Sequence, residues 1–211
     1  MIAVVDYRMG NLKSVERGLR AVGADARITA DPREIAAADV VVLPGVGAFG
    51  DAMRSMNSLG QSDAIRAAVA DGKPFLGICL GMHLLFSDGV EGAAEGSTVK
   101  GLGLVEGTVE RMPNHDAEGK LYKIPHVGWN SIEDLRTPLF EGISEGEHFY
   151  FTHSYMAPES PCTIATTEHS LRFPSAIAVS DRVFGVQFHP EKSSDAGAAV
   201  LANFVRIVDA L

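Results

Sequence analysis

The chain has 211 residues, 46% of them hydrophobic and 21% charged, which is the composition of an ordinary globular chain with ample material for a core. Its 18 basic and 27 acidic residues leave a formal net charge of -9 and no Lys/Arg cluster, which speaks against nucleic-acid binding and against attachment to an acidic membrane. Two cysteines, Cys79 and Cys162, are too few for a disulfide framework and suit a reducing cytosol; neither a signal peptide nor a membrane span is expected from the apolar runs.

Ile2 to Val5 is a compact β-branched run that predicts a first strand, followed by the loop Asp6 to Asn11. Val15, Leu19 and Val22 at helical spacing predict a helix over Leu12 to Val22, ended by Gly23. A strand over Ala26 to Thr29 and a short helix from Pro32 to Ala38 follow, then the strongly apolar strand Val40 to Leu43. That strand leads into Pro44-Gly45-Val46-Gly47-Ala48-Phe49-Gly50. Helices are predicted over Asp51 to Leu59 and Ser62 to Ala70, with the Ser62 hydroxyl as a cap. Phe75 to Ile78 is the next strand, and Met82 to Phe86 is compatible with a helix. Short apolar strands alternating with helices are the signature of a parallel α/β sheet.

The texture changes after Ser87. Gly89 to Gly103 is glycine-rich and aperiodic. Strands are then predicted at Leu104–Arg111, Leu121–Ile124, Phe149–Thr152, Thr163–Thr167, Ile177–Val179 and Val183–Phe188. A closing helix from Ala196 to Leu211 carries Val200, Leu201, Phe204, Val205 and Val208 on one stripe. The expectation is a single domain over residues 1–211, with an α/β half and a β-rich half sharing a cleft.

Three stretches carry chemistry. Gly77-Ile78-Cys79-Leu80-Gly81 lies between a strand and a helical run, the grammar of a nucleophile elbow; the alternative is a buried free cysteine on a core strand. His189-Pro190-Glu191 ends an apolar strand and supplies what a Cys79 nucleophile needs: an imidazole to move its proton and a carboxylate to orient the imidazole. Pro44-Gly45-Val46-Gly47 exposes backbone N–H groups after a strand, so the oxyanion hole is assigned to the amides of Leu80 and Gly47. A plain βα turn would also use this sequence. It is no P-loop, because no Gly-Lys-Ser/Thr follows, and its glycines lack dinucleotide-site spacing. No cofactor is expected. His126 and His153 raise a metal question, but no three ligands stand at usable spacing, so none is predicted.

Gly77-Ile78-Cys79-Leu80-Gly81-Met82 with Phe188-His189-Pro190-Glu191 is similar to class I (triad-type) glutamine amidotransferases. The resemblance implies a flavodoxin-like α/β fold, with a central, mostly parallel sheet flanked by helices and an added β-rich portion. It also implies a catalytic triad of Cys79, His189 and Glu191. Within that family the chain resembles the glutaminase subunits of imidazole glycerol phosphate synthases. That narrower likeness rests on Asp6-Tyr7 with Met9-Gly10-Asn11-Leu12, on Pro44-Gly45-Val46-Gly47-Ala48-Phe49, on Pro125-His126-Val127-Gly128-Trp129-Asn130, on Tyr150-Phe151 with His153-Ser154-Tyr155 and on Gly185 to Ser193. It implies hydrolysis of glutamine through a γ-glutamyl thioester on Cys79. The ammonia then passes to a (β/α)₈-barrel cyclase subunit that holds the phosphorylated substrate, for histidine biosynthesis in the cytoplasm. Asn11 is carried over as a partner-side residue near the ammonia exit, and Trp129, Asn130 and Tyr155 as interface residues; Trp129 could equally be a core anchor.

Two positions depart from the family pattern. His83 stands where the family usually has a glutamine that helps hold the substrate, so His83 is the candidate substrate-binding residue, with one N–H to donate. Arg8 stands where many relatives have glycine. The competing readings are a glutaminase for another synthase, a catalytically silent regulatory relative, and a cysteine peptidase or chaperone of similar fold. The Trp129 segment argues against the first and the complete triad against the second. Hydrolysis of peptides with indifference to glutamine would mark the third.

Overall fold

The computed structural model describes residues 1–210. The elements in chain order are β1 (Ile2–Val5), α1 (Leu12–Ala21), β2 (Ala26–Thr29), α2 (Pro32–Ala37), β3 (Val40–Gly45), α3 (Phe49–Ser58), α4 (Gln61–Ala70), β4 (Phe75–Cys79), α5 (Leu80–His83), β5 (Phe86–Gly89), β6 (Val99–Lys100) and β7 (Val105–Arg111). They continue with β8 (His126–Ser131), a 3₁₀ turn (Pro138–Phe140), β9 (His148–His153), β10 (Tyr155–Met156), β11 (Thr163–Glu168), β12 (Arg172–Ala178), β13 (Val183–Val186), a second 3₁₀ turn (Pro190–Lys192) and α6 (Ser194–Asp209).

The central sheet has seven strands in the order β11-β12-β13-β4-β3-β1-β2. From β13 to β2 every pairing is parallel, whereas β12 pairs antiparallel with both β11 and β13. The parallel strands read as unbroken apolar runs because both of their faces are covered. In β3, Val40 and Val42 pack into one core with Val15 and Leu19 of α1 and Val200, Leu201 and Phe204 of α6. Val41 and Leu43 pack into the opposite core with Ile35, Met53, Met56 and Ile65. A four-stranded sheet, β10-β7-β5-β6, adds Phe86, Val105 and Val109 to that second core, and β8 pairs antiparallel with β9. The architecture is therefore a large, mostly parallel central sheet flanked by helices, with β-rich additions.

Several local expectations are corrected. Leu121–Ile124 is no strand, and Leu121 makes only an isolated bridge with His115. The helix after Cys79 ends at His83, because Phe86 leaves to begin β5. The segment from His126 to Ser131, for which no strand is predicted, is strand β8. Ser62 does not cap α4: Gly60 holds the N-cap position and the Ser62 hydroxyl is buried without a partner. Arg8 has a φ of 73°, a left-handed conformation that favours glycine, and its N–H is held by Asp6 Oδ1 at 2.7 Å.

Candidate active site

Parallel pairing places the predicted site residues at adjacent strand ends. Cys79, the last residue of β4, is in register with Gly45, the last of β3, so the Val46-Gly47 loop starts beside the sulfur. On the other side, Ile78 is in register with Val186 of β13, which places His189 three residues beyond that strand. Chemistry at the carboxyl ends of parallel strands is the rule for such sheets.

The elbow is a strained, close-packed turn. Cys79 has φ 55° and ψ -110°, which L-residues rarely adopt. A Cβ on Gly81 would lie 1.7 Å from the Leu43 carbonyl oxygen, and one on Gly77 would lie 2.6 Å from the Gly81 carbonyl oxygen. The two glycines are therefore required by the close approach of backbone to backbone.

His189 Nδ1 and Glu191 Oε1 are 2.9 Å apart, and both side chains are almost wholly buried. The turn between them is tied down. The His189 N–H donates to the Tyr150 carbonyl at 2.9 Å, the Ser193 hydroxyl donates to the His189 carbonyl at 2.7 Å, and the Tyr150 N–H donates to Ser193 Oγ at 2.9 Å. Burial alone would depress the His189 pKa, but the neighbouring Cys79 sulfur and the Glu191 carboxylate outweigh it and raise the value to about 9. His189 Nε2, the ring nitrogen that faces away from Glu191, is buried with no hydrogen-bond partner.

A cavity of about 380 Å³ opens over the sulfur, lined among others by Gly47, Cys79, Leu80, His83, Glu91 and Tyr155. It draws on both the α/β half and the β-rich half. Gly47 has φ 93°, and a Cβ there would meet the end of Met9 at 2.4 Å. His83 is buried, and its Nε2 lies 2.6 Å from Gln187 Oε1. Burial holds the His83 imidazole down to about 4 against the opposing effect of that hydrogen bond, so the ring is neutral with a single N–H. Because that N–H is used on Gln187, His83 offers the cavity an acceptor at Nδ1, not the donor expected from the sequence.

The other predicted residues lie further out. Asn11 is exposed at the start of α1 and caps nothing with its side chain. Trp129 is 52% exposed on β8, with Val127 exposed on the same face, so it is no core anchor; its ring meets Tyr150 edge-on. Asn130 donates to the Glu168 carbonyl at 2.9 Å and lies 3.2 Å from His126 Nε2. His126 Nδ1 is 3.0 Å from His153 Nε2, and His153 Nδ1 is 2.8 Å from the Tyr155 carbonyl. A carbonyl only accepts, so the chain of donors runs from Asn130 through His126 and His153 to Tyr155. Among the described residues no group of three or more His, Cys, Asp or Glu side chains could hold a metal ion. Gln187 was missed as a site residue, although an amide inside the apolar run Val183–Phe188 was a visible signal.

Three of these imidazoles set an acid limit on stability. Burial lowers the His83 pKa to about 4; burial and then the charge of His169 lower that of His126 to about 4; burial lowers that of His153 well below its ordinary value. A folded-state pKa below the unfolded value means that the unfolded chain binds more protons between the two, so stability falls as pH drops from about 6.5 towards 4. His83 should cost roughly 2 kcal/mol between pH ~6.5 and pH ~5, and the less deeply buried His126 a smaller amount, because solvent screens it. His189 works the other way: its contribution is complete below its unfolded value and is lost as pH rises towards 9. Urea unfolding across this range should therefore give maximal stability near pH ~6.5, and equal midpoints at pH ~5 and pH ~6.5 would contradict the neutral buried histidines.

A family model for "Glutamine amidotransferase class-I" matches residues 3–208. The chain is 44% identical to the "Imidazole glycerol phosphate synthase subunit HisH" of Caldanaerobacter subterraneus subsp. tengcongensis, over 100% of both chains. It is 45% identical to the subunit of the same name from Methanothermobacter thermautotrophicus, again over 100% of both. A crystal structure of a glutamine amidotransferase superposes with a TM-score of 0.73 at 19% identity, covering 99% of this chain and 98% of that one. The glutaminase domain of Trypanosoma brucei CTPS with bound acivicin gives 0.69 at 17% identity, covering 99% and 93%. The solved structures speak for the fold alone, whereas the family match and the whole-length relatives go further: the chain belongs to the class I glutamine amidotransferases.

Proposed function

We propose that the chain, acting as one domain, is the glutaminase subunit of an imidazole glycerol phosphate synthase. It hydrolyses glutamine to glutamate and passes ammonia to a (β/α)₈-barrel cyclase partner. The observation that carries the reading is Cys79 lining a cavity, with the buried His189–Glu191 pair near enough for the sulfur to raise the His189 pKa, in a chain alike over its whole length to HisH subunits. Cys79 attacks the side-chain amide carbon of glutamine as a thiolate. The oxyanion of the tetrahedral intermediate is held by the N–H groups of Leu80 and Gly47. His189 gives its proton to the departing ammonia, leaving a γ-glutamyl thioester. It then takes a proton from water, whose oxygen attacks the thioester; glutamate leaves and the sulfur is regenerated. Glu191 fixes the tautomer and orientation of His189. His83 Nδ1 accepts a hydrogen bond from the bound glutamine.

Asn11 sits at the partner side by the ammonia exit, and the exposed Val127–Trp129 face, with Asn130 and Tyr155, meets the cyclase. Exposed aromatic anchors are the residue type that dominates such contacts. None of the helices formed by the described residues is long and apolar enough to cross a membrane, and a cytosolic location agrees with the two free cysteines. Glutamate release from glutamine, measured for the chain alone and with the barrel cyclase and its nucleotide ligand, tests the proposal. A rise of two orders of magnitude or so with the ligated partner is expected, the scale of gaining one oxyanion-hole donor. No release in either mixture would overturn the reading.

A further inference from the structure

Gln187 is fully buried, one residue beyond β13, and its backbone N–H is fixed on the Ser175 carbonyl at 2.9 Å. Its side-chain amide is engaged at both ends. Oε1 lies 2.6 Å from His83 Nε2, and Nε2 lies 3.7 Å from Cys79 Sγ. On another side the sulfur lies 3.9 Å from the Thr152 carbonyl oxygen. The sulfur therefore sits between an acceptor, which suits a thiol, and a donor, which suits a thiolate.

We propose that Gln187 is a thiolate-holding residue of this site and that His83 is the positioning residue that turns its N–H, and not its carbonyl, towards Cys79. This deepens the assignment of Cys79 as nucleophile and rests on it. An amide has a donor end and an acceptor end of nearly equal shape, so its orientation is decided by its partners. The neutral His83 ring has one N–H. Spent on Oε1, it holds the carbonyl away from the sulfur. With the amide reversed, a carbonyl lone pair would face a thiolate lone pair, and the site would favour the uncharged, poorly nucleophilic thiol. Thus His83 acts on the nucleophile through Gln187, in addition to facing the cavity. The donated hydrogen bond also remains in place when His189 has given its proton away and no longer stabilises the sulfur by charge.

The test is the rate at which iodoacetamide alkylates Cys79 in the full-length chain, followed from about pH 5 to about pH 10 in a Cys162→Ser background. Gln187→Leu should slow alkylation at neutral pH about tenfold, the scale of one hydrogen bond to a charged group, and leave the rate at high pH unchanged. His83→Leu should slow it about threefold, because the amide is then free to reverse. His83→Gln should restore the parent profile, since its amide N–H can again donate to Gln187 Oε1. A Gln187→Leu profile that superimposes on the parent overturns the proposal. So does a loss that is uniform with pH, which would mean altered access and not altered charge. Should Gln187→Leu fail to fold, Gln187→Met removes the same N–H from a chain of similar length and is held to the same outcomes. Glutamine hydrolysis plays no part in this readout, so a chain that proves inactive on glutamine leaves the alkylation result decisive for Gln187.

Discussion

Cys79→Gly is expected to abolish glutamine hydrolysis and, at the same time, to make the chain more stable. The two effects come from the same residue for different reasons. Without the sulfur there is no thioester, and water is left to attack a glutamine amide with no nucleophile in place; loss of a nucleophile from such a constellation costs on the order of 10⁴-fold or more. The backbone at Cys79, with φ 55° and ψ -110°, lies where a Cβ is strained, and strain of this kind costs about 1–3 kcal/mol. Glycine adopts that conformation without strain, but it brings more chain entropy to the unfolded state and leaves a small void where the sulfur was. A net gain of about 1 kcal/mol should remain. Cys79→Ala is the matched control: equally inactive, with the strain retained. Glutamate release and urea midpoints for the three chains would check both halves. A glycine variant that still turned over glutamine would remove Cys79 from the mechanism, and one no more stable than the alanine variant would show the elbow to be relaxed.

Gly81→Ala should be the most damaging single methyl group in the molecule. The added Cβ would lie 1.7 Å from the Leu43 carbonyl oxygen and 2.9 Å from its carbon. Those atoms belong to β3, which is hydrogen-bonded between β1 and β4 and cannot swing aside as a flexible side chain would. Either the elbow lifts away from the sheet, taking the Leu80 amide with it, or β3 separates from its neighbours. We expect a loss of more than about 4 kcal/mol, which in a chain of this size lowers the melting temperature by roughly 10 °C. Residual folded protein should hydrolyse glutamine poorly, since the Leu80 amide is one of the two oxyanion donors proposed above. A variant whose stability lies within about 1 kcal/mol of the parent would mean that the elbow and β3 are not in contact.

What could be read from the sequence was what is local. Val40 to Leu43 announces a strand covered on both faces, and Gly77-x-Cys79-x-Gly81 announces a turn that needs glycine on either side of the nucleophile. His189-Pro190-Glu191 is close enough in sequence for the imidazole and carboxylate to meet. The failures are cases in which pairing, and not local pattern, decides. His126 to Ser131 contains a glycine and an asparagine and reads as a loop, yet it becomes β8 because all six residues find partners on β9. Leu121 to Ile124 has the better strand composition and finds no such partner. Leu85 and Phe86 extend the helical pattern that follows Cys79, but Phe86 is claimed by β7, where it pairs with Val105. The N–H that the sequence offers at His83 is spoken for in the same way: it is taken by Gln187, 104 residues away.

The place of β13 in the central sheet has a consequence for how the enzyme is made. The strand inserts between β12 and β4, so His189, the proposed base, reaches Cys79 only when a late segment has threaded between two others. While a ribosome has delivered the chain only as far as residue 182, β4 has β3 on one side and an open edge on the other. An unpaired apolar edge of this kind invites association with other nascent chains. The same delay keeps Cys79 without His189, Glu191 and Gln187 throughout most of translation. On the proposed mechanism, reactivity towards amides is thereby acquired only after the strands β1 to β4 have been delivered.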